Sequence, residues 1–162
     1  MQRPLHARLL TALVPMLFLI PVPTMTGCSS FDAPTLTVSS VVLADRSDEA
    51  VVLDVTLDAV NTNDVELPLE VVEYTVFVDG SVVFEGTRSA EATLRRAGTQ
   101  QVVLPVAIRL APDVPLRGEY PYRIRGQLTY VTPGEIAQLL FDAGVRRPKV
   151  SFSQRGTVDF GE

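Results

Sequence analysis

Residues 51–63 read VVLDVTLDAVNTN, and the fold turns on how this stretch alternates. Leu53, Val55, Leu57 and Ala59 fall on one face, while Asp54, Thr56 and Asp58 fall on the other. A period of two with acids on the outward side predicts a half-buried β-strand. Asn61-Thr62-Asn63-Asp64 ends it, because Asn and Asp side chains bond the backbone of the turns they occupy.

The same grammar continues downstream. Val72, Tyr74, Val76 and Val78 alternate with Glu73, Thr75, Phe77 and Asp79. Asp79-Gly80 then separates two β-rich runs, a hairpin signal because both residues tolerate positive φ. The return strand covers residues 81–86. Val102, Leu104, Val106, Ile108 and Leu110 share a face, with Pro105 on the other side, as in an edge strand or a bulge. Tyr122, Ile124, Gly126, Leu128 and Tyr130 alternate with Arg123, Arg125, Gln127 and Thr129. An earlier strand is expected over 35–44 and a last one over 149–160, bent near Arg155-Gly156. About seven strands, with turn signals about 8–15 residues apart, predict an all-β sandwich or barrel.

One segment departs from period two. Ile136, Leu139, Leu140 and Ala143 follow Pro133-Gly134-Glu135 at i, i+3, i+4, i+7 spacing and stop at Gly144. That spacing predicts a short helix. The competing reading for 134–143 is an extended strand running on into Phe141.

Upstream of the first strand the chain has a different character. Arg3, His6 and Arg8 precede an apolar run over residues 9–20, and Met25-Thr26-Gly27-Cys28 follows. A basic start, a short apolar core and small residues before a cut site mark a secretory signal. The run is too short to span a bilayer, which takes about 20 apolar residues. Met25-Thr26-Gly27-Cys28 resembles the bacterial lipobox, whose Cys is lipidated and becomes the first residue; Met25 stands where Leu is usual. The alternative is an ordinary secretory peptide cut nearby, which leaves a free thiol. The expectation is a cleaved signal at 1–27, a lipidated Cys28 with a short tether at 28–34, and one domain at 35–162. Ser29 follows the Cys where many Gram-negative lipoproteins retained at the inner membrane carry Asp. This implies the outer membrane of the cell envelope, facing the periplasm, if the source is Gram-negative.

Composition excludes several functions. Without Arg3 and Arg8 the 14 basic residues fall to 12 against 19 acidic ones, a net charge of −7. An acidic domain is a poor partner for nucleic acid or for electrostatic docking on anionic lipid. A mean hydropathy of +0.23 argues against disorder. His6 is the only histidine and Cys28 the only cysteine, so residues 29–162 contain neither. Nucleophile systems built on His or Cys are therefore absent there, and so are the usual zinc ligands. Gly80, Gly86 and Gly98 lack the strand–loop–helix context of a phosphate loop. Carboxylates remain: Asp45, Asp48 and Glu49, and Asp54 with Asp58. Such acids cleave glycosides or bind Ca²⁺ when paired, but a solvated strand face and a solvated turn explain them more simply. Arg95-Arg96 and Arg146-Arg147 read as solvated turn residues. No catalytic residue, cofactor or metal site is expected.

The order of these pieces carries a family resemblance. VVLDVTLDAVNTN, VELPLEVVEYTVFVDG, SVVFEG and, after a spacer, QQVVLPVAIRL succeed one another, with YRIRGQLTYVTPG and SFSQRGTV closing the chain. Over residues 36–158 this resembles the late embryogenesis abundant type 2 family, also called the water-stress and hypersensitive-response (WHy) domain. Residues 135–148 are an insertion, and Thr62 stands where Pro is common. The resemblance implies a fibronectin-III/immunoglobulin-like antiparallel β-sandwich with one short helix, and a protective role in desiccation. It implies no catalytic residues. Asn61, Asn63, Tyr74, Gly80, Gly86 and Gly126 match as structural positions: turn formers, a core aromatic and hairpin glycines.

Two functions follow as expectations. The first is a membrane-tethered protective protein making weak contacts with protein clients or membrane. The second is an envelope binding module or complex subunit on the same scaffold. Apolar residues exposed on a polar face would favour the second, with Phe77, Val83 and Phe84 as candidates.

Overall fold

The computed structural model describes residues 31–110 and 116–161. The expected signal segment at 1–27 and Cys28 lie outside the described residues. Seven strands and one helix follow in the order β1 (Thr35–Arg46), β2 (Ala50–Asn61), β3 (Leu67–Val78), β4 (Ser81–Leu94), β5 (Gly98–Arg109), β6 (Glu119–Tyr130), α1 (Glu135–Asp142) and β7 (Lys149–Asp159). They form two antiparallel sheets, β1-β2-β5 and β4-β3-β6-β7, packed face to face. The fold is an all-β sandwich.

The alternation in residues 51–59 decides which side of β2 is buried. Val51, Leu53, Val55, Leu57 and Ala59 are fully buried, and the residues between them are half-buried. Across the gap they meet Val72, Val76, Ile124 and Leu128 of the opposite sheet. Each such side chain contributes about 1.5–3 kcal/mol on leaving water. One polar bond also crosses the core: the Tyr74 hydroxyl donates to the Pro105 carbonyl at 2.7 Å. Pro105 lies in β5, an edge strand of the three-stranded sheet, where a missing N–H costs least.

Asp79 and Gly80 adopt φ of 48° and 78° between the paired residues Val78 and Ser81. Two positive-φ residues give the turn whose twist matches a two-residue hairpin. Several boundaries differ from the sequence reading. β4 continues well past Gly86 to Leu94, since β3 begins at Leu67 and supplies a partner along that length. β7 pairs with β6 through Arg155 and Gly156 with no register shift.

The insert does form a helix, but its periodic stripe does not face the core. Phe141 is its one buried side chain, while Ile136 and Leu139 are 76% and 68% exposed and Ala143 is exposed. Periodicity tells which residues share a face, not what that face meets. Here Phe141 lines a shallow cleft with Glu70, Val71 and Thr129, and the Arg147 guanidinium lies 5.4 Å from its ring centroid.

Candidate functional site

Gly80 sits in the hairpin turn as expected, and the other matched positions fall into two groups, one at the opposite end of the sandwich and one across a sheet. Asn61 closes β2 and is 1% exposed. Its amide donates to the carbonyls of Val65 (2.8 Å) and Arg95 (3.1 Å). Its Oδ1 accepts from the Asn63 backbone N–H at 3.0 Å and from the Asn63 amide at 2.8 Å. Asn63 in turn accepts from the Asp32 N–H (3.0 Å) and donates to the Asp32 carbonyl (2.8 Å). The two side chains thus clasp three segments: the 61–66 turn, the β4–β5 turn and the chain entering before β1. A buried amide with all its bonds made is stable, and one with half of them is costly.

The second group is a row across the four-stranded sheet. Gly86 of β4 pairs with Tyr74 of β3, Tyr74 with Gly126 of β6, and Gly126 with Phe152 of β7. Gly86 and Gly126 are therefore mid-strand residues, which corrects the hairpin role expected of them. The reason is close approach. A Cβ at Gly126 would stand 2.7 Å from the Glu73 carbonyl oxygen and closer still to the Phe152 ring. At Gly86 it would meet the Phe84 ring at 2.7 Å. Phe84 in turn stacks on Tyr74 with centroids 5.0 Å apart. The glycines leave room for aromatic rings to lie on the sheet. Burial pushes the Tyr74 phenol above its ordinary value, partly offset by the nearby Arg88 guanidinium.

Over the outer side of this row runs a shallow polar groove of about 650 Å³, lined by side chains such as Glu73, Thr75, Glu85, Arg125, Gln127 and Ser151. Lys149 pairs with Glu73 at its margin at 2.9 Å, both groups well exposed. Its hydroxyls, amide and charges suit weak, exchangeable hydrogen bonds rather than enclosure of a ligand.

The other candidates do not converge. Asp54 and Asp58 stand on the outer face of β2, four residues and about 13 Å of strand apart; Asp58 accepts from Gln101 at 2.9 Å. Asp45, Asp48 and Glu49 flank a turn organised by the Ser47 hydroxyl, which binds Ala50 and Glu49. Among the described residues no three metal-ligating side chains come together, and no helix is long and apolar enough to cross a membrane. Arg95, Arg96, Arg146 and Arg147 are all exposed. Phe77, Val83 and Phe84 do not form an exposed patch on the polar face, and Val83 is half-buried against the core. Phe77 is 8% exposed because Arg123 and Arg125 stack over its ring at 4.2 and 5.1 Å, and Phe84 turns in toward Tyr74.

The family model for the late embryogenesis abundant proteins, LEA_2, matches residues 56–156. This chain belongs to that family. Membership makes it a water-stress-related protein, in a family that is generally non-enzymatic. No curated protein matches it by sequence. Its fold is similar to the solution structure of AT1g01470 from Arabidopsis thaliana, with a TM-score of 0.61 at 17% identity over 83% of this chain and 88% of that one. At2g46140.1, described as a late embryogenesis abundant protein, gives the same TM-score and identity over 80% and 72% of the two chains. A protein from Archaeoglobus fulgidus gives a TM-score of 0.51 at 10% identity, over 82% and 99%. These three share the fold.

Sequence reasoning missed the residues that lock the ends. Asp32 meets the clasp, and Arg46 Nη1 donates to the carbonyls of Leu116 and Phe160 at 2.9 and 2.6 Å. Nothing local marks either, because each binds backbone far away in sequence.

Proposed function

We propose that this LEA_2 protein is a lipid-anchored, non-enzymatic protector of the cell envelope, in the manner of the WHy domains, with Cys28 as the lipidated residue. The observation that carries the protective role is the outer face of β4-β3-β6-β7. It is a shallow surface lined by polar side chains with apolar area between them, and among the described residues no side-chain polar atom is buried without a partner. A rigid core beneath such a surface lets the domain touch drying or unfolding proteins weakly and release them without rearranging. The lipobox-like Met25-Thr26-Gly27-Cys28 supports the tether. A diacylglyceryl group, with a further acyl chain on the amine, would anchor it stably where one chain alone would not. Only residues 28–30 are left as a tether, because Asn63 already holds Asp32, and Ser29 supports an outer-membrane address facing the periplasm.

Two measurements test the two halves. Drying or freeze–thaw of a labile enzyme with the purified protein should preserve more activity than an equal mass of albumin; parity with albumin refutes protection. Mass spectrometry of the protein from bacterial membranes should find Cys28 as the first residue and carrying lipid. An unmodified Cys28 refutes the anchor.

A further inference from the structure

Every strand of the sandwich starts or stops at one of two ends, and the ends expose very different surfaces. At one lie the 61–66 turn, the β4–β5 turn and the insert between β6 and β7; at the other lie the Asp79-Gly80 hairpin and the C-terminal residues. Among the large apolar side chains exposed in the described residues, the three most exposed all belong to the insert: Ile136, Leu139 and Val145, at 76%, 68% and 73%. Val65, also exposed, sits in the turn at that same end, whereas Val42, Val82 and Val103 are dispersed over strands. Ile136 and Leu139 are one helical turn apart on α1, whose one buried side chain is Phe141. Leaving such side chains in water contributes nothing to the sandwich, and three of them gathered on one insert mark a candidate contact surface.

The path of the chain supplies that environment. The Phe31 ring lies 6.5 Å from Tyr130, the residue from which the insert departs, and Asn63 holds Asp32 by both backbone groups. The chain therefore enters the fold at the insert end. Cys28 is three residues before Phe31, at most about 10 Å of extended chain. An anchor on that residue keeps this end, and not the hairpin end, against the bilayer.

We propose that the insert end is a membrane-contact surface, with Ile136, Leu139 and Val145 entering the interfacial layer of the bilayer that holds the anchor. This rests on the lipid-anchor reading above. The contact is apolar rather than electrostatic: Arg95, Arg96, Arg146 and Arg147 are offset at the same end by acids including Glu66, Glu135 and Asp142. It therefore needs no anionic lipid and resists salt.

The chain has no tryptophan, so one introduced indole reports its own surroundings. The mature protein, residues 28–162, is coupled through Cys28, its only thiol, to a maleimide-bearing phospholipid in phosphatidylcholine vesicles with brominated acyl chains. Leu139→Trp fluorescence is expected to be quenched about threefold more than that of Val82→Trp, beside the hairpin at the opposite end, and equally so in high salt. Adding Ile136→Ser and Val145→Ser to Leu139→Trp should remove most of that difference. Equal quenching at the two positions overturns the proposal. So does an indole shielded from water only by concentration-dependent self-association, which would make this end a protein interface. Chemical coupling makes the result independent of lipidation in the cell. An unmodified Cys28 in cells would remove the anchor reading, while quenching confined to Leu139→Trp would still assign the surface to lipid.

Discussion

The two ends of the sandwich solve the same problem in opposite ways. At the hairpin end the chain closes on itself. Phe160 is fully buried, edge-on to Tyr120 at 5.8 Å, and Gly118 exchanges backbone bonds with Phe160 and Gly161. Arg46 from β1 caps the arrangement by donating to Leu116 and Phe160. At the insert end the closure is polar, made by Asn61 and Asn63, and the apolar side chains point outward. Both closures are made within the fold, but the insert end also exposes Ile136, Leu139 and Val145, which the proposal assigns to the bilayer. The difference separates residues that hold the fold from residues that orient it.

Substitutions at each end should therefore have different readouts. Phe160→Ala, which empties the hairpin end, should cost about 3–5 kcal/mol in urea unfolding while leaving lipid contact at the insert end intact. Asn61→Ala should cost about 2–3 kcal/mol, because the Val65 and Arg95 carbonyls lose their donor. It should also speed amide exchange at Asp32, which a substitution at the hairpin end would not do. Tyr74→Phe, midway between the ends, should cost about 1 kcal/mol for the bond across the sheets. Ile136→Ser with Leu139→Ser should change stability by less than about 0.5 kcal/mol, since neither side chain is buried, yet abolish the membrane contact.

Tyr74→Phe carries a pH signature as well. Burial raises the phenol of the folded state above the ordinary value of 10.0, which the unfolded chain retains. Between those two values the unfolded state loses its proton first, so stability falls as pH rises past about 10 and is unaffected below it. Burial raises Tyr122 and Tyr130 in the same direction. Removing Tyr74 should flatten the alkaline loss measured by urea titration without abolishing it.

Much of the fold was legible because a strand's alternation is local. Leu53, Val55 and Leu57 announce a buried face whatever they pack against, and Asp79-Gly80 fixes its hairpin from two residues. The helix was also local, and its stripe was read correctly as one face. The direction of that face is not legible, because the side chain the helix buries is Phe141, outside the stripe, in a cleft shared with residues of β3 and β6. Gly86 and Gly126 misled for a related reason: a glycine's letter does not distinguish a turn from a ring lying close by. Phe77 was read as exposed because two arginines on a neighbouring strand cover it, and their reach is a property of register.

The asymmetry of the ends is tested most directly by amide hydrogen exchange on the protein tethered through Cys28, compared with and without vesicles. Added protection should be confined to residues 61–66, 94–97 and 131–148, with 46–49 and 79–80 unchanged. Protection at 79–80, or none at 131–148, would contradict the account.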